Sequence, residues 1–131
     1  MFSFHSIQQY QNSLLNGTAT CVEAVEFFLH RIQNTRHLNA FTQVFAEEAL
    51  QKAAVLDADR LAGKPVGKLH GVVVAIKDVI CYKGHTVTAA SHILQGFTAT
   101  YNATAVQKLL NAQAIIIGVC NCDEFAMGSS N

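Results

Sequence analysis

Charge is scarce in this sequence. Lys, Arg, Asp and Glu make up 14% of 131 residues, nine basic against nine acidic, while half of the chain is apolar. With no basic stripe, the sequence argues against nucleic-acid binding by this segment alone. So little polar residue on a chain this short implies that part of its apolar surface belongs against a partner or further chain. No apolar run reaches transmembrane length. Met1 to His5 has neither the basic start nor the long apolar stretch of a secretory leader. The four cysteines (Cys21, Cys81, Cys120 and Cys122) are too sparse for a disulfide framework. They point to a reducing, cytoplasmic compartment. Internal repeats, low-complexity tracts and charge blocks are missing, so one domain is expected.

Several site patterns are missing too. His5, His30, His37, His70, His85 and His92 fall in no HxH or HExxH spacing. Cys120-x-Cys122 is too short for a zinc pair and has no second pair, so these read as small apolar residues at a strand end. Gly63-Lys64 and Gly67-Lys68 lack the strand–loop–helix setting of a phosphate loop. Ser129 and Ser130 lack the GxSxG setting of a nucleophile elbow. No metal and no cofactor are expected for this chain.

What is present is an alternation of helices and strands. A helix starts near Ser3 or Ser6, carries Ile7, Tyr10 and Leu14 on one side, and stops at Gly17. A capping box, Thr20-x-x-Glu23, opens a second helix with an apolar stripe of Val22, Val25, Phe28, Leu29 and Ile32. A short strand over 40–45 precedes a third helix over 46–62, with Gly63 and Pro65 as stop signals. Val72 to Ile76 reads as a strand covered on both faces, with Val79 to Tyr82 continuing extended and Lys83-Gly84 turning. A short helix over 91–94, a helix over 102–113 and a second buried strand over 114–119 complete the pattern. The expected class is α/β: N-terminal helices, then strands of a mixed sheet with parallel pairing, covered by helices. Asp123 and Glu124 open a short helix after the last strand. Because a loop of small residues has just begun there, where α/β proteins place ligand sites, the sequence is expected to be an N-terminal portion of a longer protein.

Lys77 ends the first apolar strand and admits two readings. Its stem packs on apolar surface while the amine reaches water, or it is a buried, neutral amine able to act as a base. Asp78, on the opposite face of the strand, reads as a turn or capping residue. Gly128-Ser129-Ser130 offers close backbone approach and N–H groups suited to substrate binding.

The blocks Leu69-His70-Gly71-Val72-Val73-Val74-Ala75-Ile76-Lys77-Asp78 and Ile115 to Ser130 resemble the amidase signature family. Within it, Asp123 to Ser130, Thr88 to Leu94 and Tyr101 to Leu110 are similar to the glutaminase subunits of tRNA-dependent amidotransferases. The resemblance implies an incomplete amidase signature fold: one amidase domain represented by its N-terminal portion, helical over 1–66 and starting the core over 67–131. It implies a Ser–Ser–Lys set in which Lys77 is the terminal base, and a pocket lined by the backbone of Met127, Gly128 and Ser129. The two family serines are expected downstream of Asn131, so the chain alone is expected to be inactive. Glutamine is the implied substrate, with B and C subunits as partners. The resemblance further implies that ammonia passes to the B subunit, which uses ATP and Mg to amidate Glu-tRNA(Gln), and that tRNA is met only through that complex. The implied setting is cytoplasmic, or an organellar matrix in a eukaryote. Two other functions fit the residues: the start of a general amidase acting on free amides, or a truncated module that only binds a partner. The family's Gly-Ala before the second core strand is Gln113-Ala114 here, so a strained helix end is expected at Gln113. The family's Gly-Ile-Pro is Gly71-Val72-Val73, and its common Lys or Arg is Val119.

Overall fold

A computed structural model describes residues 4–128. Helices α1 (Ile7–Leu15) and α2 (Cys21–Asn34) are followed by β1 (Phe41–Val44), α3 (Ala46–Leu61), β2 (Val73–Lys77), α4 (Thr104–Asn111) and β3 (Ile115–Cys120). Single 3-10 turns lie at Arg36–Leu38, His92–Leu94 and Glu124–Ala126.

The helix starts follow the local chemistry. The Ser6 hydroxyl accepts from Gln9 N, and the Thr20–Glu23 capping box closes in both directions. A second cap reaches α2 from α3: the Asp57 carboxyl accepts from Cys21 N at 2.9 Å and Val22 N at 3.1 Å. Arg60, one turn on, donates to Leu14 O at the end of α1 and pairs with Asp57. One helix thus sets a carboxylate at the positive end of α2 and a guanidinium at the negative end of α1. Cys21 is fully buried behind this junction, and burial pushes its thiol up to about 12, so it packs as a small apolar side chain.

The sheet has the order β1-β3-β2, with β3 antiparallel to β1 and parallel to β2. Tyr10, Leu14, Val25, Ala53, Leu56, Ile115 and Ile117 belong to a core on the side of α1–α3. Ile76, Val106, Ile116 and Val119 form a second core with Leu109 and Leu110 of α4. The β2–β3 register skips Ile117, and beyond this bulge the alternation shifts so that Val119 joins the α4 side. Gly118 lets β1 lie close, because a Cβ there would stand 2.4 Å from Gln43 O.

The mixed α/β arrangement expected from the sequence is the one observed, and Gln113 takes the expected left-handed conformation at φ 68. Two local expectations are corrected. The strand at 73–77 is not covered on both faces: Ala75 and Lys77 are exposed and only Ile76 is buried. The fully covered strand is the central β3, whereas β2 is an edge among the described residues. Residues 79–82 do not continue extended. Asp78 is pulled inward and the chain turns, with Ile80 N donating back to Lys77 O.

Candidate active site

Lys77 is the last residue of β2 and lies opposite Cys120 in the parallel register. Its side chain is exposed, and Nζ donates to the main-chain carbonyl of Asn121. That contact anchors the amine over the end of the sheet. Residues 4–128 do not bury this amine, because nothing in them covers the Lys77 face of the sheet end. Burial pushes the neighbouring Cys120 thiol up, opposed by the positive charge of Lys77. Cys122 is buried and its thiol is also raised, chiefly by burial. Both cysteines are free, as apolar packing residues should be, and no metal-holding cluster of His, Cys, Asp and Glu exists among the described residues.

Asp78 points the other way and is 1% exposed. Its Oδ1 accepts from Thr88 N at 3.0 Å, its Oδ2 from the Thr88 hydroxyl, and its own carbonyl from Ala89 N at 2.8 Å. The turn and capping role read from the sequence is therefore correct, over a span of ten residues. Ala89 O in turn accepts from Phe125 N at 2.9 Å. A bonded path therefore runs from the lysine's neighbour to the loop that follows β3.

That loop carries the other predicted residues. Met127 is 82% exposed, and Gly128 backs onto Asp123, whose carboxyl carbon would stand 2.6 Å from any added Cβ. Gly128 thus permits a close turn between backbone and carboxylate. Ser129 lies outside the described residues. Asp123 and Glu124 do open a 3-10 turn, without a side-chain cap. The structure also brings in Asp78, Thr88, Ala89 and Asn121, which the sequence does not mark as a group. The only local signal for them is the run of small and hydroxyl residues at Thr88-Ala89-Ala90-Ser91. The histidines are structural or at the surface: His70 is buried against Gln113, and His85 stacks on Tyr82 at 4.2 Å and meets Glu48. An open groove of about 680 Å³ between the end of α2 and β1, lined by Leu29, Gln33, Arg36 and Phe41, does not include Lys77.

A parallel strand ending in lysine, a crossover and a glycine-containing loop thus meet at one end of the sheet. The Amidase family model matches residues 23–131, and the chain belongs to that family. Among its relatives, the A subunit of the glutamyl-tRNA(Gln) amidotransferase of Chlorobium phaeobacteroides is 44% identical over 128 residues, covering 98% of this chain and 27% of the relative. The protein of the same name from Rhodopirellula baltica is 45% identical over 127 residues, covering 96% and 26%. The chain therefore spans little more than a quarter of the length of these relatives. Solved structures agree. Peptide amidase from Stenotrophomonas maltophilia superposes with a TM-score of 0.86 at 28% identity, covering 94% of this chain and 26% of that one. A bacterial aryl acylamidase of the amidase signature family gives 0.82 at 25%, covering 92% and 26%.

Proposed function

We propose that this chain is the N-terminal part of the glutaminase subunit of a tRNA-dependent amidotransferase. The observation that carries this reading is the identity of about 44% across nearly the whole chain to amidotransferase subunits, against 25–28% to the peptide amidase and aryl acylamidase. In this reading Lys77, as an unprotonated amine, accepts a proton from a bridging serine, which deprotonates a nucleophilic serine. Neither serine is supplied by these 131 residues. The nucleophile attacks the side-chain amide of glutamine, an acyl-enzyme forms, and ammonia leaves. Water then releases glutamate. Met127, Gly128 and Ser129 line the substrate side. A B subunit using ATP and Mg consumes the ammonia on Glu-tRNA(Gln), a C subunit packs around the glutaminase, and the complex works in the cytoplasm.

The test is glutamine hydrolysis by the full-length subunit with its partners. Lys77→Ala is expected to lower kcat by roughly 10²–10⁴-fold or more with the thermal midpoint nearly unchanged. Near-normal ammonia release by that variant refutes the base role. The 131-residue chain by itself is expected to release no ammonia above background. Equal turnover of free amides with and without B and C partners, and no transfer to tRNA-bound glutamate, favours the general amidase instead.

A further inference from the structure

Two loops beside the end of β2 hold backbone conformations that their residues disfavour. Ala89 and Ala90 stand at φ 50 and 54, and Phe125 and Ala126 at φ 52 and 57. None of the four is glycine, and a left-handed residue bearing a Cβ costs about 1–2 kcal/mol. Such a conformation persists only where its surroundings over-determine it. Here the ties converge on Asp78 and Thr88. Asp78 O takes Ala89 N, the Thr88 hydroxyl takes Ala90 N at 3.1 Å while donating to Asp78 Oδ2, and Thr88 N donates to Asp78 Oδ1. The turn so fixed offers Ala89 O to Phe125 N, and Ala126 N and Met127 N then close back on Asp123 O and Glu124 O.

A turn needed only to reverse the chain is made most easily with Gly or Asn at the left-handed positions. A buried carboxyl with no ion-pair partner among the described residues, spent on two alanines, points to a requirement on where the turn's carbonyl stands. We propose that Asp78 and Thr88 are positioning residues for amide hydrolysis: through Ala89 O they set the Phe125–Gly128 substrate loop relative to Lys77. Asp78 adjoins the lysine in sequence, so both arms of the site are referenced to the same strand end. This inference rests on the amidase reading of Lys77 and of the loop.

The experiment uses the full-length subunit with its partners and glutamine as the probe. Thr88→Val keeps the shape of the side chain and removes both hydroxyl bonds. It is expected to raise KM about tenfold with kcat within about threefold, and Thr88→Ser to restore KM to within about twofold. Hydrogen exchange at the Phe125 amide should quicken in Thr88→Val and not in Thr88→Ser. Ala89→Gly loosens the same turn without leaving a polar group unpaired and should shift KM in the same direction. A folded Thr88→Val with wild-type KM overturns the proposal. So does a loss of kcat in step with a fall in thermal midpoint at constant KM, the mark of a merely structural role. Should Thr88→Val not fold, Ala89→Gly carries the test alone, and an unchanged KM overturns it. Lys77→Ala, run alongside, separates the two readings: if it stays active, the base role fails whatever the KM of the Thr88 variants.

Discussion

Gln113 follows the end of α4 at φ 68, a conformation glycine adopts more readily. Its side chain, however, holds three groups from residues 65–70. Oε1 accepts from Gly67 N and from His70 Nδ1 at 2.7 Å, and Nε2 donates to Pro65 O. Because Oε1 is the acceptor, His70 carries its proton on Nδ1. Gln113→Gly relieves strain but strands the buried His70 Nδ1–H and the Gly67 N–H. The lost bonds outweigh the strain relief of about 1–2 kcal/mol, part of which is offset by glycine's freer unfolded chain, since each of the two stranded groups costs about 1–3 kcal/mol. The variant is expected to lose about 1–3 kcal/mol in urea denaturation. A more stable Gln113→Gly would mean that these bonds contribute nothing. The strain at this position was expected from the resemblance to the family, which has glycine there. Its compensation was not, because the partners lie more than forty residues away. Lys77 is a similar case: its place at a strand end was readable, its exposure was not.

At the scale of elements, the start of α2 is capped twice. The Thr20–Glu23 box is written in adjacent residues and was predicted from them. The Asp57 cap comes from α3, and no spacing rule connects residues 21 and 57. The two caps should also differ in weight. Thr20→Ala removes a solvent-exposed cap, expected to cost about 1 kcal/mol. Asp57→Ala leaves Cys21 N, Val22 N and the Arg60 guanidinium short of a partner in a site where both side chains are about 12–13% exposed. A loss of about 2–4 kcal/mol is expected, from the stranded groups rather than from the ion pair alone. Denaturation midpoints of the two variants and their combination measure this. A smaller loss for Asp57→Ala than for Thr20→Ala would show that the local box dominates. The mistaken strand burial belongs at this scale also. A run of Val, Val, Ala and Ile is equally consistent with a central strand and with an edge strand whose cover comes from elsewhere.

As a whole molecule, the described chain is a three-stranded sheet with β1 and β2 both at its edges. Val44, Val79, Ile93, Phe97, Tyr101 and Met127 are exposed, and formal net charge is zero at pH 7. Open edges, apolar surface and the lack of net repulsion all favour association. The isolated 131-residue chain is therefore expected to self-associate in sedimentation or light scattering at neutral pH. Ala75→Lys, on the exposed part of β2, should reduce this. A stable, monodisperse wild-type monomer would count against the view that these edges need cover.

By itself, the sequence determined what nearest neighbours along the chain determine. The helix caps, the apolar periods, the alternation of helices and strands and a lysine at a strand end all arise from interactions a few residues apart. Only the tertiary structure decided which strand is central, which face of β2 is bare, and that Asp78, Thr88, Ala89 and Phe125 form one bonded path. The physical reason is that burial depends on what is packed on top of a residue. A left-handed alanine, likewise, is stable only when distant groups hold it.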